Sequence, residues 1–173
     1  MLRPKDDYRV GYVVQTDFQE LDDLEDPNLR AVHGQWDLVR AGRVGPKVAE
    51  FRLESLPAAV IPAMTLVDFL GPPIDYLYRF FGSRMVEIAG QELTGKRYYA
   101  DDVTGYGFVN AKIFPLMIER RRPLLTQTQW VTVNGQERTT LTLRLPLSED
   151  GETITGGVTA NRFARGHGDV VWE

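Results

Sequence analysis

The spacing of apolar residues changes several times along the chain. After Pro27, Leu29, Val32, Trp36 and Val39 recur at three- and four-residue intervals and stop before Gly42. This is the pattern of an amphipathic helix, with proline tolerated in its first turn and glycine suited to its end. Ser55 to Ile61 predicts a shorter helix, capped by Ser55 and stopped by Pro62. Strand texture begins at Met64. Met64 to Leu70 and Asp75 to Phe81 flank Gly71-Pro72-Pro73-Ile74, which can only turn and so predicts a hairpin. Simple alternation puts Tyr76, Tyr78 and Phe80 on one side of the second strand and Leu77, Arg79 and Phe81 on the other.

Beyond Gly82, Met85, Ile88 and Ala89 share one side of a short helix, with Gly90 at its C-terminal cap. Leu93-Thr94-Gly95 forms a further turn. A longer helical pattern follows Asp101-Asp102, in which Val103, Tyr106, Val109 or Asn110, Ile113, Phe114 and Met117 share a face until the chain nears Pro123. The last third predicts three consecutive antiparallel strands, Leu125 to Val133, Arg138 to Leu145 and Thr153 to Phe163. Asn134-Gly135 and Asp150-Gly151 separate them, dipeptides that favour tight hairpin turns.

The 173 residues suit one domain with appendages, and 43% apolar with 25% charged residues is ordinary globular composition. Six of the ten positions from Asp17 to Asp26 are acidic, so this stretch is expected to stay solvated as part of a tail over residues 1–26. Net charge is −4 and the basic residues are scattered apart from Arg120, Arg121 and Arg122. Nucleic-acid binders concentrate positive charge on one face, so nucleic acid is not an expected partner. The N-terminus has no apolar leader, and the longest apolar run, Ala58 to Met64, contains Pro62. A cytoplasmic location without membrane contact is the expectation. The chain has no cysteine, which removes disulfides, thiol nucleophiles, thiolate-held metals and the cysteinyl adduct of a blue-light flavin sensor.

The segment "YRFFGSRMVEIAGQELTGK", with Tyr-Arg ahead of Gly82, then Gly90 and Leu93-Thr94-Gly95, resembles the PAS superfamily, and in particular a group of short stand-alone bacterial PAS-like proteins. The later "LRLPLSEDGETITGGV" and Trp36 are similar to the same group, and the resemblance spans roughly residues 28 to 163. It implies an α+β fold: a five-stranded antiparallel sheet over residues 63–163 with its helices on one face, an N-terminal helical extension over 27–62 and a loose C-terminal tail over 164–173. Gly82, Gly90 and Gly95 would supply the tight reversals of that fold. The resemblance also implies a non-catalytic sensory or regulatory role, with a small ligand between sheet and helices, output through a regulatory protein partner, and a homodimer built on Leu29, Val32, Trp36 and Val39.

Pocket-lining candidates are Tyr78, Arg79, Phe80 and Trp130 on strands and Val109, Ile113 and Phe114 on the facing helix, a set that equally suits an ordinary core. Arg79, inside an apolar strand, either binds an anionic ligand, pairs with Asp75, Glu87 or a terminal acid, or snorkels to solvent. Asp101-Asp102 reads as a helix cap, and Gly105-Tyr106-Gly107 lacks the third glycine and the βαβ setting of a dinucleotide site. Of the two histidines, His33 lies beside the first helix's apolar face and His167 in the tail, so the long core helix offers no haem ligand. The cofactor stays unknown, with haem and flavin adduct disfavoured. Two rivals are a ligand-free interaction module and a small α+β enzyme of isomerase or hydratase type, for which Asp68 and Asp75 are the available strand acids.

Overall fold

The structure is a computed structural model that describes residues 8–71, 74–98 and 108–173. Three α-helices and eight β-strands are found among them: β1 (Val10–Gln19), α1 (Pro27–Arg40), β2 (Met64–Leu70), β3 (Asp75–Phe81), α2 (Ser83–Ala89), β4 (Arg97–Tyr98), α3 (Phe108–Arg120), β5 (Leu124–Thr132), β6 (Glu137–Leu147), β7 (Gly156–Arg165) and β8 (Val171–Trp172). The strands form a single antiparallel sheet in the order β1-β5-β6-β7-β2-β3-β4, with β8 added to β7.

The expected five-stranded sheet with helices on one face is therefore corrected. The five strands predicted from the pattern occupy the middle of the sheet, and β1, β4 and β8 extend it to eight. The two sides are also covered by different helices. On one, Leu29, Val32 and Trp36 of α1 pack with Leu143, Leu145 and Leu147 of β6, Val158 and Ala160 of β7, and Met64 and Leu66 of β2. On the other, Met85 and Ile88 of α2 and Ile113, Phe114 and Met117 of α3 pack with Tyr76, Tyr78, Trp130 and Phe163.

Asp26 caps α1 by accepting the Leu29 N–H at 2.8 Å, Pro27 occupies its first turn, and Ala41 and Gly42 leave it with positive φ. Leu29, Val32 and Trp36 are buried in the chain's own core, and Trp36, 2% exposed, donates its indole N–H to the Pro146 carbonyl at 2.7 Å. Val39 packs against the same core. The four residues expected to form a dimer interface are thus used within one chain. The helix expected over Ser55 to Ile61 is replaced by two single 3₁₀ turns, Leu53–Ser55 and Ile61–Ala63; Pro57 and Pro62 break up the stretch.

Residues 10–19, expected within a solvated tail, form an edge strand along β5. Ala164, expected to open a loose C-terminal tail, is buried in β7. His167 bonds the Trp130 carbonyl at 2.8 Å. The Asn134-Gly135 turn joins β5 to β6 as expected, with Gly135 at φ +79°. At Asp150-Gly151 a longer loop over 148–155 replaces the tight turn, organised by the Asp150 carboxylate, which accepts the N–H groups of Glu152 and Thr153. Asp101-Asp102, Val103 and Gly105-Tyr106-Gly107, for which a helix cap, a helix face and no dinucleotide site were expected, lie outside the described residues.

Candidate functional site

The candidate site lies between the sheet and the pair α2 and α3. Strand alternation builds its floor, because the same strands that send leucines to α1 send hydroxyls and amides the other way. Thr126 and Thr128 of β5, Thr140, Thr142 and Arg144 of β6, and Thr159 and Asn161 of β7 form cross-strand pairs: Thr126 with Thr142, Thr128 with Thr140, Thr142 with Asn161 and Arg144 with Thr159. All of them are buried. Above this polar floor sits a cavity of about 50 Å³, walled by Ile88, Val109, Val10, Val13, Trp130 and Phe163.

The floor is tightly hydrogen-bonded. Thr142 donates its hydroxyl to Asn161 Oδ1 at 2.7 Å, and the Asn161 amide donates to the Ala63 carbonyl at 2.9 Å. Arg144, 3% exposed, donates from Nε to Asn110 Oδ1 at 2.8 Å and from Nη1 to the Thr126 hydroxyl at 2.6 Å. Asn110 belongs to the first turns of α3, so the guanidinium ties the helix to the sheet at the cavity's edge. Trp130 donates its indole N–H to the Thr140 hydroxyl at 2.8 Å. A buried polar network of this kind fixes orientation, and the room above it is of a size for water or a few heavy atoms.

Of the expected pocket residues, Val109 and Trp130 line the cavity. Tyr78, Ile113 and Phe114 are buried in the surrounding apolar cluster, where Tyr76 contacts both Tyr78 and Phe114 edge-on. Phe80 and Arg79 are elsewhere. The pairing of β2 with β3 slips by one residue between Leu66 and Val67, which brings Phe81 to the Tyr78 side and sends Phe80 to the α1 side. Arg79 is 53% exposed and pairs with Asp68, whose hydrogen bond and charge raise the guanidinium's pKa. Asp68 and Asp75, the strand acids of the enzyme reading, are held by Arg79 and Arg97 respectively.

The glycines work in different ways. Gly90 caps α2 with φ +76°, and Gly95 also has positive φ. Gly82 has an ordinary φ, but a Cβ there would lie 2.2 Å from the Pro62 carbonyl oxygen, so it is a site of close backbone approach.

Pattern reading missed Thr128, Thr140, Thr142, Arg144, Asn110 and Asn161. For Thr140, Thr142 and Arg144 the signal was the run "TTLTLRLPL", in which threonine and arginine alternate with leucine. Solvent exposure predicts the same alternation as a buried polar face does, and only α2 and α3 distinguish the two. Among the described residues no helix is long and apolar enough to cross a membrane. Compared with protein-family models and with curated proteins, the chain matches none.

Proposed function

We propose that the protein acts by binding, as a sensory or regulatory module that holds a small polar ligand between its sheet and helices α2 and α3 and signals through protein contacts. The carrying observation is the cavity over the Thr-Asn-Arg floor. Ordinary cores place apolar side chains at such positions, whereas small-molecule sites combine an apolar wall with a few convergent polar groups. Thr128, Thr140, Thr142, Asn161 and Arg144 supply those groups, and Ile88, Val109 and Phe163 supply the wall.

The cavity, about 50 Å³, is smaller than the several hundred Å³ of typical ligand sites. Binding therefore includes outward movement of the α3 end that carries Val109 and Asn110. The Arg144 bond to Asn110 makes that movement sensitive to what occupies the floor, which links occupancy to the position of a helix.

Native mass spectrometry tests this reading. An excess mass that survives the native spray, disappears on denaturation and is absent from a Val109→Trp variant is the expected result. A bare mass, with a melting temperature unmoved by a panel of small organic acids and amides, overturns it in favour of a ligand-free interaction module.

A further inference from the structure

We propose that the edge of β7 from Phe163 to Arg165, together with Arg84 and Arg162, is a docking site for an extended segment of a partner protein that carries an aromatic residue followed by an acid, and that residues 171–173 fill this site in cis. The inference is independent of the interior cavity.

The contacts made by 171–173 define the chemistry. Val171 and Trp172 pair antiparallel with Arg165 and Ala164, and the Glu173 N–H continues the ladder to the Phe163 carbonyl at 2.9 Å. The Arg162 guanidinium lies 5.2 Å from the centre of the Trp172 ring. The Glu173 carboxylate accepts from Arg84 Nη2 at 2.5 Å and lies 3.7 Å from Arg165 Nε. This is strand addition, in which main-chain bonds hold the segment and alternate side chains select it.

The receptor side is held by contacts that do not involve the segment. Arg162 is anchored to the buried Asp26 carboxylate at 2.7 Å. Arg84 is braced by Glu87 and stacks over Tyr8 at 4.2 Å and Phe163 at 5.3 Å. Three arginines against these two acids leave a net positive charge when Glu173 is away, which favours an acidic ligand. Such preorganisation lowers the ordering cost of binding.

The occupant, by contrast, is lightly held. Its strand is two residues long and Val171 is 66% exposed, well short of what stabilises an isolated strand pair. β2 pairs with β7 only as far as Ala160, and beside that point lies a surface cleft of about 480 Å³ lined by Pro27, Val60, Pro62, Arg84, Arg162 and Glu173 itself. Of residues 171–173 only Glu173 borders this cleft, so a partner segment with small apolar residues after its acid adds contacts with Pro27, Val60 and Pro62.

The test uses the full chain and the labelled hexapeptide Gly-Asp-Val-Val-Trp-Glu, the sequence of residues 168–173. Tethering gives the cis segment an effective concentration on the order of millimolar. Removing it by the double substitution Trp172→Ala and Glu173→Ala is expected to strengthen peptide binding at least tenfold over wild type, and adding Arg84→Ala is expected to abolish that binding. Equal binding to wild type and double variant, or binding to neither, overturns the proposal. So does concentration-dependent dimerisation of wild type without peptide binding, which would mean exchange of 171–173 between copies. Should the double variant not fold, acrylamide quenching of wild type decides. Trp36 and Trp130 are almost fully buried, so excess peptide carrying phenylalanine in place of its tryptophan should raise quenching by releasing Trp172. Unchanged quenching overturns the idea.

Discussion

Strands β5, β6 and β7 present two faces of opposite character. Toward α1 they show Leu125, Leu143, Leu145, Leu147, Val158 and Ala160, whose methyl groups pack on Leu29, Val32 and Trp36. Toward α2 and α3 they show Thr126, Thr128, Thr140, Thr142, Arg144 and Asn161, each hydrogen-bonded through its side chain, around a small cavity. Both faces are buried, so exposure does not explain the difference. The apolar face gains from transfer out of water and from dispersion contacts. The polar face must satisfy each buried donor and acceptor merely to avoid a penalty. One face therefore holds the domain together, and the other carries the ligand site proposed above.

The sharpest way to break this contrast is to damage the apolar face. Trp36→Ala should cost about 3–5 kcal/mol, from the cavity created and from the Pro146 carbonyl left without its donor. Urea denaturation measures it, and elution volume at low concentration should not change, because Trp36 is used within the chain. A loss of self-association with little loss of stability would restore the helix as an interface.

Next in size is Arg144→Met, which removes the guanidinium from Asn110 and Thr126. It should destabilise by about 1–3 kcal/mol and speed amide exchange in α3 above that of the strands. A uniform effect across the fold would mean that Arg144 does not tie the helix specifically. Smaller still is Thr142→Val, which keeps the shape and removes one donor from Asn161 Oδ1; about 1 kcal/mol is expected. A Thr142→Val protein more stable than wild type would mean that the polar floor is dispensable for folding, which strengthens its assignment to binding.

The smallest effect lies outside both faces. The N–H groups of Thr153 and Glu152, with the Ser148 hydroxyl, lower the exposed Asp150 carboxyl from 3.8 to about 2. Because the folded pKa is the lower one, this contribution to stability is complete above about pH 4 and is lost as pH falls through about 2. Carboxyl NMR titration measures the midpoint directly. A value near 3.8 would remove Asp150 as the organiser of the 148–155 loop.

Local signals made much of this legible. Pro27, the Leu29-Val32-Trp36 spacing and the Ala41-Gly42 exit specify α1; Gly90 ends α2; Asn134-Gly135 turns β5 into β6. Each depends on steric preferences or hydrogen bonds within a few residues. The candidate site was less legible. Val109 and Trp130 were readable as pocket residues, but the threonine floor was not, since polar alternation looks alike whether water or a helix covers it.

The sequence by itself determined α1, α2, the five central strands and the Asn134-Gly135 turn, because φ/ψ preferences and side-chain periodicity act locally. Only the tertiary structure decided that residues 10–19 add to the edge of β5, that one slipped pair between β2 and β3 separates Phe80 from Tyr78, and that Trp36 faces inward rather than toward a second copy. Each of these depends on a partner distant along the chain, and which partner a surface meets is fixed by what the whole fold can bury at once.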